Sequence, residues 1–288
     1  MKNNMILNNT DKDGLALPNQ ELFEDRVNML ADLSDLDFDL IMCFLRNANS
    51  DLIKFVDKIP FEQLCRKMQI IQDVNEAVKP LNIGLMMFNN NPEKFIPGAR
   101  IKIVDCHEVV GDGFTEEIFE GPIPIQLKNA WGHIQTLFTR EEVRKRDRRP
   151  ADRFYNFPEI ALKEALVNAV YHKDYSQNKP IEVSVKPDRI QILSFPGLIT
   201  PVKIGDLKKG LVQIRTYRNK RLGDFLKGLH LIEGCCTGIP KIVRAMKKNG
   251  SPQPVFKTDK KCSYFLTILP VHPEAHQLTR QNARKSSL

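Results

Sequence analysis

Apolar positions recur at helical spacing early in the chain. Leu36, Leu40, Ile41, Phe44 and Leu45 form one stripe, and Ser34 and Asp37 stand before it at capping-box spacing. The pattern predicts a helix there, a second near 51–59, and a third opened by Pro60 with Phe61, Leu64 and Met68 inward. Residues 1–33 are polar and mostly aperiodic and read as a flexible tail or linker. The run LNIGLMMF (81–88) fits helix or strand, because period cannot separate the two over so short a stretch. ARIKIVDC (99–106) alternates and reads as a strand. Residues 122–145 read as one long helix, with Leu127, Ala130, Trp131, Ile134 and Leu137 buried and the charge run REEVRKRDRR (140–149) as its solvated end.

The second half repeats the alternation of periods. ALKEALVNAVYH (161–172) is helical, apolar at Leu162, Leu166, Ala169 and Val170. PIEVSVKPDRIQILSFPG (180–197) reads as two strands around a Pro-Asp turn. Helix signals return at 219–230 with Leu222, Phe225, Leu226 and Leu229. A further helix begins at Pro240 and stops at Gly250, a residue suited to a left-handed cap. CSYFLTIL (262–269) reads as a last strand, and 271–288 as a disordered tail. The expected class is α+β. A helical module (34–150) is followed by a two-layer helix and mixed-sheet sandwich (151–270).

Composition narrows the class of function. Of 288 residues, 42% are hydrophobic and 27% charged, which excludes a disordered or collagen-like chain. No apolar run approaches the ~18 residues of a membrane span, and the first residues lack a signal-peptide core. The reading is a cytoplasmic protein that contacts no membrane. The six cysteines show neither C-x-x-C nor zinc spacing and read as free thiols. The net charge of +8 is uneven: residues 1–80 carry −5, 81–150 none, and 151–288 carry +13. A basic half-molecule favours a polyanion, either nucleic acid or nucleotide phosphate, and does not choose between them.

EALVNAVYHKDY (164–175) holds the candidate chemistry. Glu164 and Asn168, four residues apart, share one helix face, and Tyr171 and His172 continue that edge. The opposite face is apolar, so carboxylate and carboxamide stand at the rim of a core. A carboxylate can take a proton from an attacking water. A carboxamide oxygen suits Mg²⁺, which binds phosphates through few protein groups. Facing a nucleotide, the pair meets the needs of metal-assisted phosphoanhydride cleavage; alone, such a pair is more often plain helix surface. Two later turns add context. SFPGLI (194–199) brings backbone near a ligand, and in GCCTGIP (234–240) Thr237 and Gly238 precede a helix whose free amides suit phosphate. Arg215, Arg218, Lys220 and Arg221 lie between the turns, ready for phosphate, DNA or plain solvent.

The runs FPEIALKEALVNAVYHKDYS, RNKRLGDFLKGLHLIEG and TGIPKIVRAMKKNGSP resemble the RecG-related ATP-binding family of bacterial transcriptional regulators, over about residues 34 to 270. The nucleotide module of that family is similar to the GHKL (Bergerat) fold of gyrase B subunits and histidine kinases. The resemblance implies ATP and Mg²⁺ as cofactors, a role in transcription, and an Alba-like (schlafen-type) DNA-binding domain, most of which this chain is expected to lack. It implies Glu164 as the water-activating acid and Asn168 as the Mg²⁺ ligand. His172, Asp174 and Tyr175 match the family's HRDY, with Lys173 in place of Arg. Ser194 to Gly197 stands where GHKL proteins keep an Asp-x-Gly-x-Gly loop, here without the Asp. Thr237 and Gly238 match a Gly-Thr-Gly phosphate loop whose first Gly is Cys236 here. Arg218 falls where such proteins carry a lid.

Two readings stand. In one, the chain binds ATP for a DNA-binding regulator and hydrolyses it slowly or not at all. In the other, a catalytically dead scaffold of the same fold serves DNA binding or oligomerisation, a homodimer being the expected assembly. No Walker-type G-x-x-x-x-G-K-[ST] run occurs, so no helicase motor is expected.

Overall fold

A computed structural model describes residues 22–106, 114–146, 149–198, 205, 207, 218–232 and 238–275, with backbone only at 145–146 and 149–151. Thr237, Cys235, Cys236, Arg215 and residues 276–288 lie outside the described residues, whereas 271–275, read above as tail, are packed, with His272 7% and Ala275 1% exposed.

The N-terminal part begins with short 3-10 turns at Phe23–Asp25 and Leu33–Asp35. It continues through α1 (Phe38–Asn47), a 3-10 turn at Asp51–Phe55, and α2 (Phe61–Lys67). The expected Ser34/Asp37 box is replaced by a reciprocal one between Asp32 and Asp35. Asp37 caps α1 directly, accepting from the Leu40 N–H at 3.0 Å. Leu36 is extended, so α1 starts later than the apolar stripe suggests. Residues 22–33, read above as tail, are packed here: Glu24 has 0% exposure and Val27 bridges Leu81.

A hairpin follows, β1 (Ile71–Val74) and β2 (Ala77–Pro80), turning through Asn75 and Glu76 at φ of 47° and 66°. The ambiguous run becomes α3 (Asn82–Phe88), buried at every position. All-round burial explains why its period carries no signal.

The main sheet has six strands in the order β4-β3-β7-β8-β10-β9. They are β3 (Ile101–Asp105), β4 (Thr115–Phe119), β7 (Ile181–Lys186), β8 (Arg189–Ser194), β9 (Val255–Lys257) and β10 (Phe265–Pro270). β3 and β7 pair in parallel, with Ile103 opposite Val183; the other pairings are antiparallel. The sheet therefore draws strands from both sides of residue 150. Ile181, Val183, Val185, Ile190 and Ile192 point into the core, as alternation requires.

The long helix expected over 122–145 is shorter. α4 (Ile123–Phe138) ends, and 141–155 forms a ribbon of β5 (Glu141–Arg146) and β6 (Arg149–Tyr155). Buried Asn156 causes the break: its amide donates to the Phe138 carbonyl at 2.9 Å and accepts from the Arg140 N–H at 2.8 Å. Cross-strand ion pairs Arg153–Glu141 (3.0 Å) and Arg144–Asp152 (2.8 Å) then use the charge run.

The remaining helices are α5 (Glu159–His172), α6 (Lys220–Gly228) and α7 (Gly238–Asn249). Gly250, at φ 78°, ends α7 as read from sequence. α5 lies on β8 and β10 and touches α4, α6 and α7. One apolar core joins the N-terminal helices to this layer. Phe44, Phe88 and Phe225 bind α1, α3 and α6 with ring centroids 5.1–5.7 Å apart. Among the described residues no helix is long and apolar enough to cross a membrane, and Cys43, Cys65, Cys106 and Cys262 are free thiols.

Candidate functional site

α5 is enclosed on most sides. Ala161, Leu162, Ala165, Leu166, Ala169 and Val170 are buried, and Val167 and Tyr171 extend the burial around the helix. Glu164 and Asn168 fall on the strip left half-buried between them. That strip faces α7.

Two contacts define the meeting of α5 and α7. Lys241 Nζ lies 3.0 Å from Glu164 Oε1, with 20% of each side chain exposed. A Cβ built on Gly238 would stand 2.6 Å from both terminal atoms of the Asn168 amide. The carboxamide thus lies against bare backbone at the first residue of α7. Glycine permits that approach. The first turn of α7 carries no acidic residue, so the positive end of the helix dipole is left to groups from outside the helix.

A second cluster sits at the C-terminal end of α5, where the last helical carbonyls lack intrahelical partners. Arg218 donates to the His172 carbonyl at 2.5 Å and, through both terminal nitrogens, to the Gly197 carbonyl at 3.4 Å. Asn219 donates to the carbonyls of Tyr171 (3.0 Å) and Lys173 (2.7 Å). A guanidinium here also complements the negative helix end. The Asp174 N–H donates to the Phe195 carbonyl at 2.8 Å, which ties α5 to the end of β8. The Gly197 N–H donates to the Cys262 carbonyl at 2.7 Å, and a Cβ on Gly197 would come within 2.7 Å of the Tyr264 carbonyl, so a larger residue does not fit.

Burial sets the charge states of this cluster. The His172 imidazole is pushed down to about 4 by burial and by Arg218, so it is neutral near pH 7. Lys173 is fully buried, and desolvation pulls it down to about 8; its ammonium donates to the carbonyls of Asp174 and Gln177 at 3.3 Å. Burial works against an Asp174 charge. The hydrogen bonds from Ser176 and Gln177, with Arg218 nearby, outweigh it and hold the carboxyl below its usual range.

The sequence-derived candidates thus fall into two groups. Glu164, Asn168 and Gly238 meet where α5 crosses the start of α7. His172, Asp174, Gly197 and Arg218 meet one helix turn further along, and buried Ser194 enters that corner from β8, paired with Phe265. Sequence reading missed Lys241 and Asn219. The signal for Lys241 was its place one turn into the helix that follows Thr237-Gly238; for Asn219 there was none, because its partners are backbone atoms distant in the chain. A cleft of about 650 Å³ opens at the other end of α7, between Lys247, Lys248, Arg144 and Phe154. Arg144 there is paired with both Asp152 and Glu274.

Residues 178–268 match the family model described as "Putative ATP-dependent DNA helicase recG C-terminal". Ser194, Gly197, Arg218 and Gly238 lie inside this match, while Glu164, Asn168, His172 and Asp174 precede it. Among solved structures, the chain is similar to the DIP2311 protein from Corynebacterium diphtheriae, with a TM-score of 0.58 and 17% identity. The likeness covers 88% of this chain and 40% of that one, so the chain spans less than half of its structural relative. At that identity the likeness shows a shared fold, α+β with a mixed sheet. No curated protein matches in sequence.

Proposed function

We propose that this chain binds ATP where α5 faces the start of α7, as the nucleotide module of a DNA-directed regulatory protein. The observation that carries this is the Asn168 amide lying against the Gly238 backbone, with Glu164 one turn before it on the same strip. Gly238 offers backbone to the phosphates, in the Thr237-Gly238 sequence that the resemblance assigns to them. Ser194 and Gly197 wall the corner assigned to the base, and His172, Asp174 and Arg218 frame it.

The donor set suits Mg²⁺ through a single side-chain oxygen. No group of three His, Cys, Asp or Glu side chains capable of holding a metal occurs among the described residues. One carboxamide oxygen beside a phosphate-binding turn still fits an ion that takes most of its ligands from phosphate and water. Asn168 Oδ1 would hold it, and the ion would neutralise charge on the phosphates. Glu164 has the chemistry to accept the proton of a water attacking the terminal phosphorus. In that step the new P–O bond forms as the bridging P–O bond breaks, leaving ADP and inorganic phosphate. Glu164 is engaged by Lys241, which supports slow turnover at most.

The test is equilibrium titration of the purified chain with labelled ATP, with and without Mg²⁺. Micromolar or tighter binding is expected, and Asn168→Ala is expected to remove the dependence on Mg²⁺. No measurable binding by folded protein would overturn the reading.

The +13 charge of residues 151–288 favours a second reading, a dead scaffold that binds DNA or pairs with a second copy. Duplex affinity should then fall steeply with salt through counterion release, and a flat salt response removes this alternative.

A further inference from the structure

We propose that Lys241 is the terminal-phosphate contact of the site, and that its ion pair with Glu164 is a latch exchanged for the nucleotide. The inference rests on the ATP reading and deepens it. Lys241 is the fourth residue of α7, so its charge stands at the positive end of a twelve-residue helix, the unfavourable end for a cation. No acidic side chain in that turn offsets it. Glu164 reaches across to it from α5 at 3.0 Å. Both groups keep 20% exposure, so the pair is partly desolvated but open to an incoming anion.

The pair has a chemical consequence. A carboxylate oxygen that accepts from an ammonium is not free to accept from water, so Glu164 is restrained as a base while Lys241 holds it. A terminal phosphate carries more charge than one carboxylate and has three oxygens to offer. Placed beside Gly238, it competes for the same ammonium through charge-assisted hydrogen bonds. Lys241 moving to phosphate releases Glu164 to face the water. The nucleotide thereby removes the restraint on the group that acts on it, and a diphosphate, lacking that last group, leaves the latch closed.

Equilibrium binding of ATP and ADP to four proteins tests this: wild type, Lys241→Met, Glu164→Gln and the double variant, each checked for folding by thermal melting. Wild type is expected to prefer ATP. Lys241→Met is expected to lose about tenfold in ATP affinity with little change for ADP, the scale of one charge-assisted contact. Glu164→Gln is expected to tighten ATP binding a few-fold by removing the carboxylate that competes with phosphate for Lys241, and to lose this effect in the Lys241→Met background, since coupled residues are non-additive. Lys241→Arg should keep the ATP preference. Equal losses for ATP and ADP in Lys241→Met, or additive effects in the double variant, would overturn the latch while leaving the ATP reading intact. Wild type that binds neither nucleotide overturns both.

Discussion

Gly238 approaches Asn168 so closely that any β-carbon at position 238 would fall 2.6 Å from both terminal atoms of the Asn168 amide. The obstructing atoms are the far end of a short, rotatable side chain rather than backbone. Gly238→Ala should therefore cost little stability, below about 1 kcal/mol, because Asn168 can swing away. The displaced amide is the Mg²⁺ ligand proposed above. We expect near-wild-type melting together with loss of Mg²⁺-dependent ATP binding, measured by thermal unfolding and titration on one sample. A variant that melts normally and binds Mg-ATP normally removes Asn168 from the site.

Gly223 gives the opposite outcome for the same substitution. A Cβ there would meet the buried Tyr171 ring at 2.2–2.6 Å. An aromatic ring between α5 and α6 has no free direction in which to move, and overpacking of this kind costs about 1–3 kcal/mol. Gly223→Ala should lower the midpoint of urea unfolding clearly, and Gly223→Ala with Tyr171→Ala should recover part of the loss. A silent Gly223→Ala would show that α6 does not sit this close to α5.

These two glycines also mark what the sequence could and could not reveal. Gly238 was legible because it opens a helix behind Thr237, a pattern with a known physical use. Gly223 lies inside a helix and carries no local signal; only the approach of Tyr171 gives it a role. The helices α1, α6 and α7, and strands β3, β7 and β8, were readable from period, since each buries one face or alternates; α5 is enclosed on most sides and β10 is buried at three successive positions, so those two were legible from apolar content instead. α3 was not, being buried all round. The end of α4 was not, because the residue that ends it, Asn156, lies beyond the whole charge run. Residues 22–33 looked like tail because their apolar contacts, through Phe23, Val27, Ala31 and Leu33, follow no regular period, and because Glu24 and Asp25 hold α6 through polar bonds that no period advertises.

Asn219 serves as the hinge pin between α5 and α6. Its amide satisfies two carbonyls, of Tyr171 and Lys173, and the residue is 1% exposed. Asn219→Ala leaves both without that donor, and a buried unsatisfied group costs about 1–3 kcal/mol. We expect a loss of about 2–4 kcal/mol from the pair together, read by chemical denaturation. Asn219→Asp should be worse still, since it sets a carboxylate against carbonyl oxygens. If Asn219→Ala unfolds like wild type, the capping of α5 from outside is incorrect.

Glu24 ties the N-terminal segment to α6 and should give stability a distinctive pH response. Its carboxylate accepts from the N–H groups of Arg221 (2.8 Å) and Leu222 (2.9 Å), while the Arg221 side chain bonds Asp25 at 2.7 Å and Tyr175 lies near. Burial lifts Glu24 from 4.5 to about 7; the two backbone bonds and Arg221 pull it down, and Asp25 pushes it up, without reversing that rise. The folded state therefore binds its proton more tightly than the unfolded chain. The resulting stability is full below about pH 4.5 and is lost as pH rises through 7. Relative to Glu24→Gln, wild type should lose stability across that window, in denaturation series at fixed salt. Lys173 acts in a separate range: lowered from 10.5 to about 8, it returns stability as pH climbs between those values. Lys173→Met should abolish that alkaline gain and leave the Glu24 window unchanged. A difference curve between wild type and Glu24→Gln that stays flat from pH 4.5 to 7 would mean that the carboxylate titrates alike in both states, and that the 23–25 turn does not hold α6.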